Sequence, residues 1–158
     1  MGCNDMIKDP TELKNIRTAW ETVRIFEAMV KTNLNAAFAL GGVQTNEFRD
    51  LCNNLVLIFA FSVLEDTLRQ LRREGLFIPA QRGFKWLMQD SQVVLSWVDF
   101  KTVDKGRERR NQIAHERKFL PRDECWKYID AIENELVAWK ILPNKILAEY
   151  TITVGRSS

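Results

Sequence analysis

Apolar residues recur every three or four positions along most of this chain, which is the spacing of a buried stripe on a helix. The first such stripe contains Leu13, Ile16, Trp20, Val23, Phe26, Val30, Leu34 and Ala37. The segment 9–12 (DPTE) predicts the helix start, with Asp9 as N-cap and Glu12 closing a capping box. The glycine pair at 41–42 predicts its end. We expect one long first helix.

A second helical segment is predicted to begin at Thr45, a candidate N-cap, and to end at two arginines followed by Gly75. Its predicted buried stripe consists of Leu51, Leu55, Ile58, Ser62 and Glu65. A carboxylate on such a stripe is costly without a partner, so we expect Glu65 to be paired. The most apolar run, residues 55–64, is too short to cross a bilayer, which requires about 20 helical residues. It predicts a buried helix.

The next region is less regular, because a proline and a glycine interrupt the pattern. Residues 84–88 predict a short helix, and residues 93–95 fit a helix or a strand equally well. A new helical stripe begins at Trp97, and its continuation brings Arg110 and Ile113 to the inner face of the helix. This third long helix therefore carries a charged side chain on the side that packs against the core.

The last helix is predicted to begin near Pro121 and to end before Pro143. Its stripe consists of Cys125, Ile129, Ile132, Leu136 and Trp139. Four helical segments with short connections predict an all-α fold, an antiparallel four-helix bundle with a short extra helix, over residues 1–142. Residues 143–158 are predicted to form a C-terminal arm or tail, since residues 146–154 alternate like a strand but have no obvious sheet to join.

The composition is that of one globular domain, with 158 residues, 46% hydrophobic and 28% charged. Cys3, Cys52 and Cys125 are odd in number and far apart, which argues against a disulfide framework and a zinc site. No HExxH, GxSxG or Walker glycine loop is present. The first residues lack a signal-peptide pattern and a complete myristoylation pattern. We expect a cytoplasmic protein with no membrane contact, no metal and no cofactor.

The formal net charge of +2 conceals a basic segment around the only histidine, His115. Residues 104–118 contain Lys105, Arg107, Arg109, Arg110, Arg117 and Lys118 against Asp104, Glu108 and Glu116. Such a segment attracts phosphate, and imidazole is the side chain whose unperturbed pKa lies nearest neutrality. A solvated helix face would carry the same charges. The histidine is therefore what makes this segment a candidate site.

The string RRNQIAHE at residues 109–116 contains Arg-Asn-x-x-x-His and resembles the active-site motif of HEPN ribonucleases. The resemblance extends to the order of helices over roughly residues 10–142 and, less specifically, to residues 62–65 in the second helix. It implies a HEPN bundle that cleaves RNA without a metal, as toxins or antiviral effectors do. It also implies a homodimer in which the motifs of two subunits share one cleft.

One branch of this family has a tyrosine two residues after the histidine, where a nucleotidyltransferase partner modifies it. This chain has Arg117 at that position, so the resemblance does not imply control by modification there. Any antitoxin or regulatory protein is expected to cover the cleft or the basic surface instead.

Helical geometry is consistent with a shared site. Arg110 and His115 are five positions apart, a rotation of about 140°, whereas Asn111 and His115 share a face. A twofold contact repeats one patch on both subunits, so the Arg of one chain can meet the His of the other. We assign His115 as general acid and base, Arg110 as the group that stabilises charge on the scissile phosphate, and Asn111 as a positioning group. The 2′-hydroxyl of RNA would be the attacking group.

Four further residues complete the predicted site. We expect Glu65 to pair with Arg110 and hold its guanidinium in the cleft, although an ordinary buried ion pair fits equally well. Arg107, Arg109 and Lys118 are the candidates for contacts to the RNA backbone.

Two other readings of the motif are open. In the first, the chain is a noncatalytic helical dimer, a nucleotide- or RNA-binding or protein-interaction module, and only turnover separates it from the enzyme. In the second, Cys125 and His115 form a nucleophilic pair, but no sequence signature surrounds them and a cysteine on a helix stripe is ordinarily core.

Overall fold

The computed structural model describes residues 5–38, 44–78 and 81–145. These residues form five helices and no strand, which confirms the all-α prediction. The helices are α1 (Pro10–Phe38), α2 (Gln44–Arg73), α3 (Phe84–Ser91), α4 (Phe100–Glu116) and α5 (Arg122–Ala138). The helix end predicted at residues 41–42 and the arm from residue 146 onwards lie outside the described residues.

The start of α1 is capped as predicted, but its capping box is not closed as predicted. The Asp9 carboxylate accepts hydrogen bonds from the backbone N–H groups of Thr11 (2.9 Å) and Glu12 (3.2 Å). The N–H of Asp9 donates to Glu74, just beyond α2, at 3.1 Å. Glu74 also accepts from the N–H of Lys8 at 2.7 Å, so the first turn of α1 is fixed by a residue more than sixty positions away.

Helix α2 packs against the other four helices and forms the centre of the core. The predicted stripes of α1 and α5 are buried, from Leu13 to Val30 and from Cys125 to Trp139, with Phe26 half-buried. The stripe predicted for α2 is wrong. Leu55 is 45% exposed, and Leu51, Ile58, Ser62 and Glu65 are half-buried, whereas Val56, Leu57, Ala60, Phe61 and Leu64 form the core. Thr45 lies inside α2, which begins at Gln44.

The buried faces of α1 and α5 are joined by charged side chains. Arg24 donates to Glu27 (2.6 Å), to Glu133 (2.7 Å) and to the more exposed Asp130 (2.9 Å). Glu133 also accepts from the indole N–H of Trp20 at 2.7 Å. Burial disfavours the charge of Arg24, but its bonds and attraction to Glu133 and Glu27 outweigh that effect and raise its pKa. These contacts give each of the buried charges of Arg24, Glu27 and Glu133 a partner.

Between α2 and α4, the described residues outside α3 form turns, bends and irregular backbone. Helix α3 confirms the predicted short helix, and residues 93–95, for which a helix and a strand were equally consistent, form turns after its end. Ser91 is buried and accepts a hydrogen bond from the indole N–H of Trp97 at 3.1 Å. Helix α3 packs against both α2 and α4, the two helices that it connects.

By length and composition alone, residues 47–73 of α2 are apolar enough to span a bilayer. More than half of the most apolar window is buried inside the bundle, and the core helix of a soluble protein meets the same criterion. The apolar run 55–64, predicted to be a buried helix, is largely core, although Leu55 and Phe59 remain exposed.

Candidate active site and its basic surroundings

Helix α4, which carries the Arg-Asn-x-x-x-His string, is held at both ends. At its start Asp99 is the N-cap and accepts from the N–H of Thr102 at 3.1 Å. Glu135 of α5 accepts the N–H groups of Val98 (2.8 Å) and Asp99 (2.7 Å). At its end Arg117 adopts a left-handed conformation, with φ of 53°, and its N–H closes the last turn. The backbone that carries the string is therefore firmly placed.

Gly106 sets how closely α4 approaches the core. A Cβ at this position would lie 2.8 Å from the Phe61 ring of α2 and 2.8 Å from the Tyr128 ring of α5. Only glycine allows the two rings to close over the α4 backbone in this way. Because Arg110 follows one turn later at about 40° from Gly106, it lies on the same inward side of α4.

Arg110 is half-buried, as its predicted place on the inner face requires. Its Nη1 donates to the Asn111 side-chain oxygen at 3.3 Å, whereas its Nε is buried and has no hydrogen-bond partner among the described residues. Within the same residues, no carboxylate lies at ion-pair distance from Arg110. The enclosed Nε is out of reach of a ligand, but a guanidinium without a carboxylate partner can give its accessible Nη donors to an oxyanion.

His115 is exposed in the last turn of α4, and Asn111 is half-buried one turn before it. The structure thus brings Arg110 and Asn111 into contact and leaves the imidazole facing solvent. With about 140° of rotation between Arg110 and His115, one chain directs its guanidinium and its imidazole to different sides of the helix.

The predicted ion pair between Glu65 and Arg110 is not the one in the structure. The Glu65 carboxylate accepts from Arg69, with Nε at 3.2 Å, one turn along α2. Glu65 was predicted on the buried stripe of α2, but it is half-buried, and Arg69, four residues later on the same helix, is its ion-pair partner. Glu65 therefore does not hold the guanidinium of Arg110.

Arg107 was predicted to contact the RNA backbone, and its burial contradicts this. The side chain is buried at the inner face of α4, beside Gly106, and its Nε lies 2.8 Å from Asp104. A second carboxylate, Glu108, lies 3.7 Å away. The arginine is thus neutralised within its own helix and has little surface to offer a phosphate.

Arg109 and Lys118, the other two predicted backbone contacts, differ in their surroundings. Arg109 joins α4 to α5, since its Nε lies 3.2 Å from Glu124 and its Nη1 donates to Gln112 at 2.7 Å. These contacts give Arg109 a structural role in joining α4 to α5. Lys118 is two-thirds exposed, and its one ion pair among the described residues is with the exposed Glu116, a kind of contact that contributes little and exchanges readily. Lys118 remains accessible to a polyanion.

Two adjacent asparagines on α2, absent from the predicted site, fix the loop that follows His115. Asn54 is fully buried; its oxygen accepts from the N–H of Leu120 (2.9 Å) and its amide donates to the Leu120 carbonyl (3.0 Å). Asn53 accepts the indole N–H of Trp126 at 3.1 Å. The signal was present in the sequence, since two amides directly before an apolar run need partners if the helix buries them.

The thiol of Cys125 cannot act with His115 as a nucleophile. Cys125 is fully buried, and burial raises its pKa to about 12, so the thiolate is scarcely populated near neutrality. Among the described residues, no group of three or more His, Cys, Asp or Glu side chains is placed to hold a metal ion.

No family model, no characterised protein and no solved structure matches this chain. The grounds for a function are therefore the residues themselves. They are a half-buried arginine with an unused donor, an amide beside it and a solvent-facing imidazole, all on one firmly placed helix.

Proposed function

We propose that this protein is an endoribonuclease of the HEPN type, which cleaves RNA without a metal in a site shared by two subunits. The observation that carries the proposal is the state of Arg110. Its buried Nε has no partner among the described residues, and it lies beside Asn111 on the helix that carries the single histidine. Because no carboxylate of the described residues pairs with Arg110, its accessible Nη donors are available to a phosphate oxygen.

The chemistry requires two proton transfers. His115 takes the proton of a ribose 2′-hydroxyl while that oxygen attacks the adjacent phosphorus. The bond from phosphorus to the 5′-oxygen breaks, and the partner subunit's His115, in its protonated form, gives that oxygen a proton. Arg110 stabilises the charge that develops on the phosphoryl oxygens, and Asn111 keeps its guanidinium in place. The products are a 2′,3′-cyclic phosphate and a 5′-hydroxyl.

An exposed apolar surface on α2 supports assembly into a dimer. Phe48, Leu55 and Phe59 are 57%, 45% and 37% exposed, and their positions lie within about 40° of one another around the helix. The half-buried Leu51 and Ile58 extend this surface. A run of large apolar side chains along one helix face is typical of a contact with another protein surface.

The candidate catalytic helix contacts α2 on another side, about 120–140° around the helix from this surface. Gly106 of α4 packs on Phe61 of α2, and the loop after α4 returns to Asn54. Arg110 falls between these two points, so it is at about the level of Leu55 and Phe59 along the bundle.

The four-helix HEPN arrangement, the cytoplasmic location and a role as a toxin or antiviral effector belong to the same proposal. An antitoxin or regulatory protein would act by covering the exposed imidazole or the basic surface around Lys118. The alternative, a noncatalytic dimer that binds nucleotides, RNA or proteins, shares these features except turnover.

The decisive experiment compares wild-type protein with the His115→Ala variant on RNA in excess EDTA. We expect wild type to yield fragments with 2′,3′-cyclic phosphate and 5′-hydroxyl ends, and the variant to cleave at least about 100-fold more slowly. Arg110→Gln should lose activity to a similar degree, because a neutral amide cannot offset charge on the phosphate.

The matched control is Lys101→Ala, which removes an exposed side chain from the first turn of α4 and should retain activity. Circular dichroism and mass measurements establish that all variants keep the same helicity and oligomeric state. Equal cleavage by wild type and His115→Ala would refute the assignment, and binding of RNA without any cleavage by wild type would favour the noncatalytic module.

A further inference from the structure

A groove of about 480 Å³ lies beside the loop that follows His115, and Phe119 is part of its lining. Its charged side chains are equal in number of each sign: Arg49, Asp50, Arg122 and Asp123. Two guanidinium groups and two carboxylates leave the groove close to neutral, so it does not favour a phosphate. The ligand that suits this mixture is an uncharged ring with both hydrogen-bond donors and acceptors. A nucleobase is such a ring.

Phe119 supplies an aromatic face on which a base can stack. Its side chain is 46% exposed. The backbone of the next residue, Leu120, exchanges two hydrogen bonds with the buried side chain of Asn54, and Pro121 follows with a restricted φ. The ring is therefore attached to an ordered backbone, which reduces the entropy that binding would otherwise remove. Stacking on aromatic side chains is a common way for proteins to hold unpaired bases.

The carboxylate of Asp50 is the main hydrogen-bond acceptor of the groove. Asp50 is half-buried, and within the described residues its side chain takes part in no ion pair. Its backbone carbonyl accepts from Asn54 at 2.6 Å, so its place on α2 is fixed. The other carboxylate, Asp123, is 84% exposed and lies 3.8 Å from Arg122, so water and that cation compete for its oxygens. Asp50 therefore has acceptor capacity to offer a ligand.

Arg122 supplies the hydrogen-bond donors. Arg49 also lines the groove, but it already has an interaction. The guanidinium carbon of Arg122 lies 5.7 Å from the centre of the Trp126 ring, and half of the side chain is exposed, so its N–H groups are accessible. The groove thus combines an aromatic face, a carboxylate on α2 and a guanidinium at the start of α5.

Guanine is the base whose edges match these three groups. Its Watson–Crick edge carries two adjacent donors, N1–H and N2–H, which the two oxygens of one carboxylate can accept together. Its other edge carries two acceptors, O6 and N7, the pair that arginine recognises. Adenine, cytosine and uracil have no two adjacent donors on the Watson–Crick edge. An acceptor lies beside their single donor, and a carboxylate repels it.

We propose that this groove binds guanine in single-stranded RNA, with the base stacked on Phe119, its Watson–Crick edge on Asp50, and O6 and N7 towards Arg122. The binding stands on the groove alone. Its role in selecting the cleaved bond rests on the proposed function. Phe119 is four residues from His115 and at most about 14 Å from it along the chain, so the groove would direct cleavage to bonds close to a guanine.

The first test compares short fluorescein-labelled oligouridines that differ only in a central base and carry 2′-O-methyl groups to prevent cleavage. We expect wild type, by fluorescence anisotropy, to bind the guanine oligonucleotide about 10-fold more tightly than those with adenine or hypoxanthine. Hypoxanthine is guanine without the 2-amino group. Its weaker binding therefore measures the hydrogen bond from N2–H to the carboxylate.

The second test neutralises Asp50. Asp50→Asn should weaken binding of the guanine oligonucleotide about 10-fold and remove the preference over adenine, because an amide has one acceptor oxygen where the carboxylate has two. Attraction of phosphates alone predicts the opposite sign, since loss of a negative charge would strengthen it. The matched control is Glu47→Gln, which removes an exposed carboxylate of α2 outside the groove and should keep the preference.

A third variant tests the aromatic face. Phe119→Leu should weaken binding of every oligonucleotide about 10-fold, whatever the central base, because stacking does not depend on the edge of the base. Circular dichroism establishes that the variants keep the helicity of wild type. The comparison of guanine with hypoxanthine uses wild type alone and so does not depend on any variant.

Equal binding of the guanine, adenine and hypoxanthine oligonucleotides by wild type would overturn the proposal, as would the absence of binding. Tighter binding of the guanine oligonucleotide by Asp50→Asn would also overturn it, because only attraction between charges would then remain.

The outcomes also separate this inference from the ribonuclease proposal. A guanine preference that depends on Asp50, in a protein that cleaves no RNA, would support the groove and refute the enzyme. Cleavage that depends on His115, without a guanine preference in binding, would support the enzyme and refute the groove. If both proposals hold, the ends of RNA fragments should lie close to guanines, and Asp50→Asn should remove that pattern.

Discussion

A single glycine decides how α4 packs. In the middle of a helix, glycine is less favourable than alanine by about 1 kcal/mol, so helix propensity alone disfavours Gly106. The rings of Phe61 and Tyr128 occupy the space where a Cβ would lie. The gain from this close packing must outweigh the loss in propensity, and it sets the depth at which Arg110 lies in the bundle.

Replacing this glycine should therefore destabilise the fold despite the better helix former. We expect Gly106→Ala to lower the free energy of unfolding by about 2 kcal/mol, because the added methyl group overpacks the contact. Urea denaturation followed by circular dichroism measures the change. Combining it with Phe61→Leu should cost less than the sum of the two single changes, since the smaller side chain makes room. Strict additivity would argue against the clash.

The positions of some site residues could be predicted from the sequence, whereas those of others could not. The helical period put Arg110 on the inner face, and the structure agrees. The same period applies to Arg107, which lies beside Gly106 and is buried, but its charge made it look like a surface contact. Glu65 was predicted to pair with Arg110 but pairs with Arg69. A hydrophobic pattern indicates which side of the helix a residue faces, but it does not indicate which nearby cation pairs with it.

At the scale of helices, the first turn of α1 and the end of α2 depend on one carboxylate. Glu74 accepts backbone N–H groups from Lys8 and Asp9 and the amide of Gln70. Burial acts to raise the pKa of Glu74, but these bonds, together with the charge of Lys8, outweigh it and hold the pKa below its usual value. The carboxylate is therefore more stabilising than its protonated form.

The sign of this shift predicts an acid-dependent contribution to stability. A lowered pKa in the folded state gives stabilisation that is present above the usual glutamate value of about 4.3 and is lost as the pH falls through the folded-state pKa. We expect Glu74→Gln to be less stable than wild type by about 1 kcal/mol at pH 7, with the difference shrinking below about pH 4. Urea denaturation across this pH range measures it.

A matched control is available on the neighbouring turn. Glu12→Gln removes a carboxylate from the start of α1 without touching the bonds to Glu74, so its effect should stay within a few tenths of a kcal/mol. If the two variants behaved alike, the bridge from α2 would not be what holds the start of α1.

The helices themselves were largely predictable, whereas the orientation of α2 was not. Caps and stripes are local signals, and they gave the start of α1, the short α3 and the buried face of α5. In α2 almost every residue from 55 to 64 is apolar, so the period cannot select a face. Contacts with the four neighbouring helices determine which face of α2 is buried. The buried side chains of Asn53 and Asn54 identify that face better than any leucine does.

For the whole molecule, the exposed face of α2 is the feature that a single chain leaves unexplained. Phe48, Leu55 and Phe59 are large, apolar and aligned, and Ile25 and Met29 of α1 are also exposed. A second copy on the α2 face would remove its side chains from water, as the proposed dimer requires. Assembly and catalysis should then fail together.

A charge in the middle of this face tests that link. Leu55→Glu should convert the dimer to a monomer, because a carboxylate in an apolar contact loses its hydration, and RNA cleavage should fall with it. Analytical ultracentrifugation gives the mass, and unfolding measurements establish that the monomer is folded. Val93→Glu makes the same kind of change at an exposed turn and should alter neither property. A monomeric wild type, or full activity in a monomeric Leu55→Glu, would contradict a shared site.

The buried charges between α1 and α5 also limit which substitutions this sequence can accumulate. Losing Arg24 leaves the two buried carboxylates of Glu27 and Glu133 without the cation that they share, a loss of about 3–5 kcal/mol. Replacing all three by apolar side chains at once would be far milder, but single mutations do not take that path. The trio is therefore expected to be inherited as a unit, so that in relatives of this chain positions 24, 27 and 133 change together or not at all.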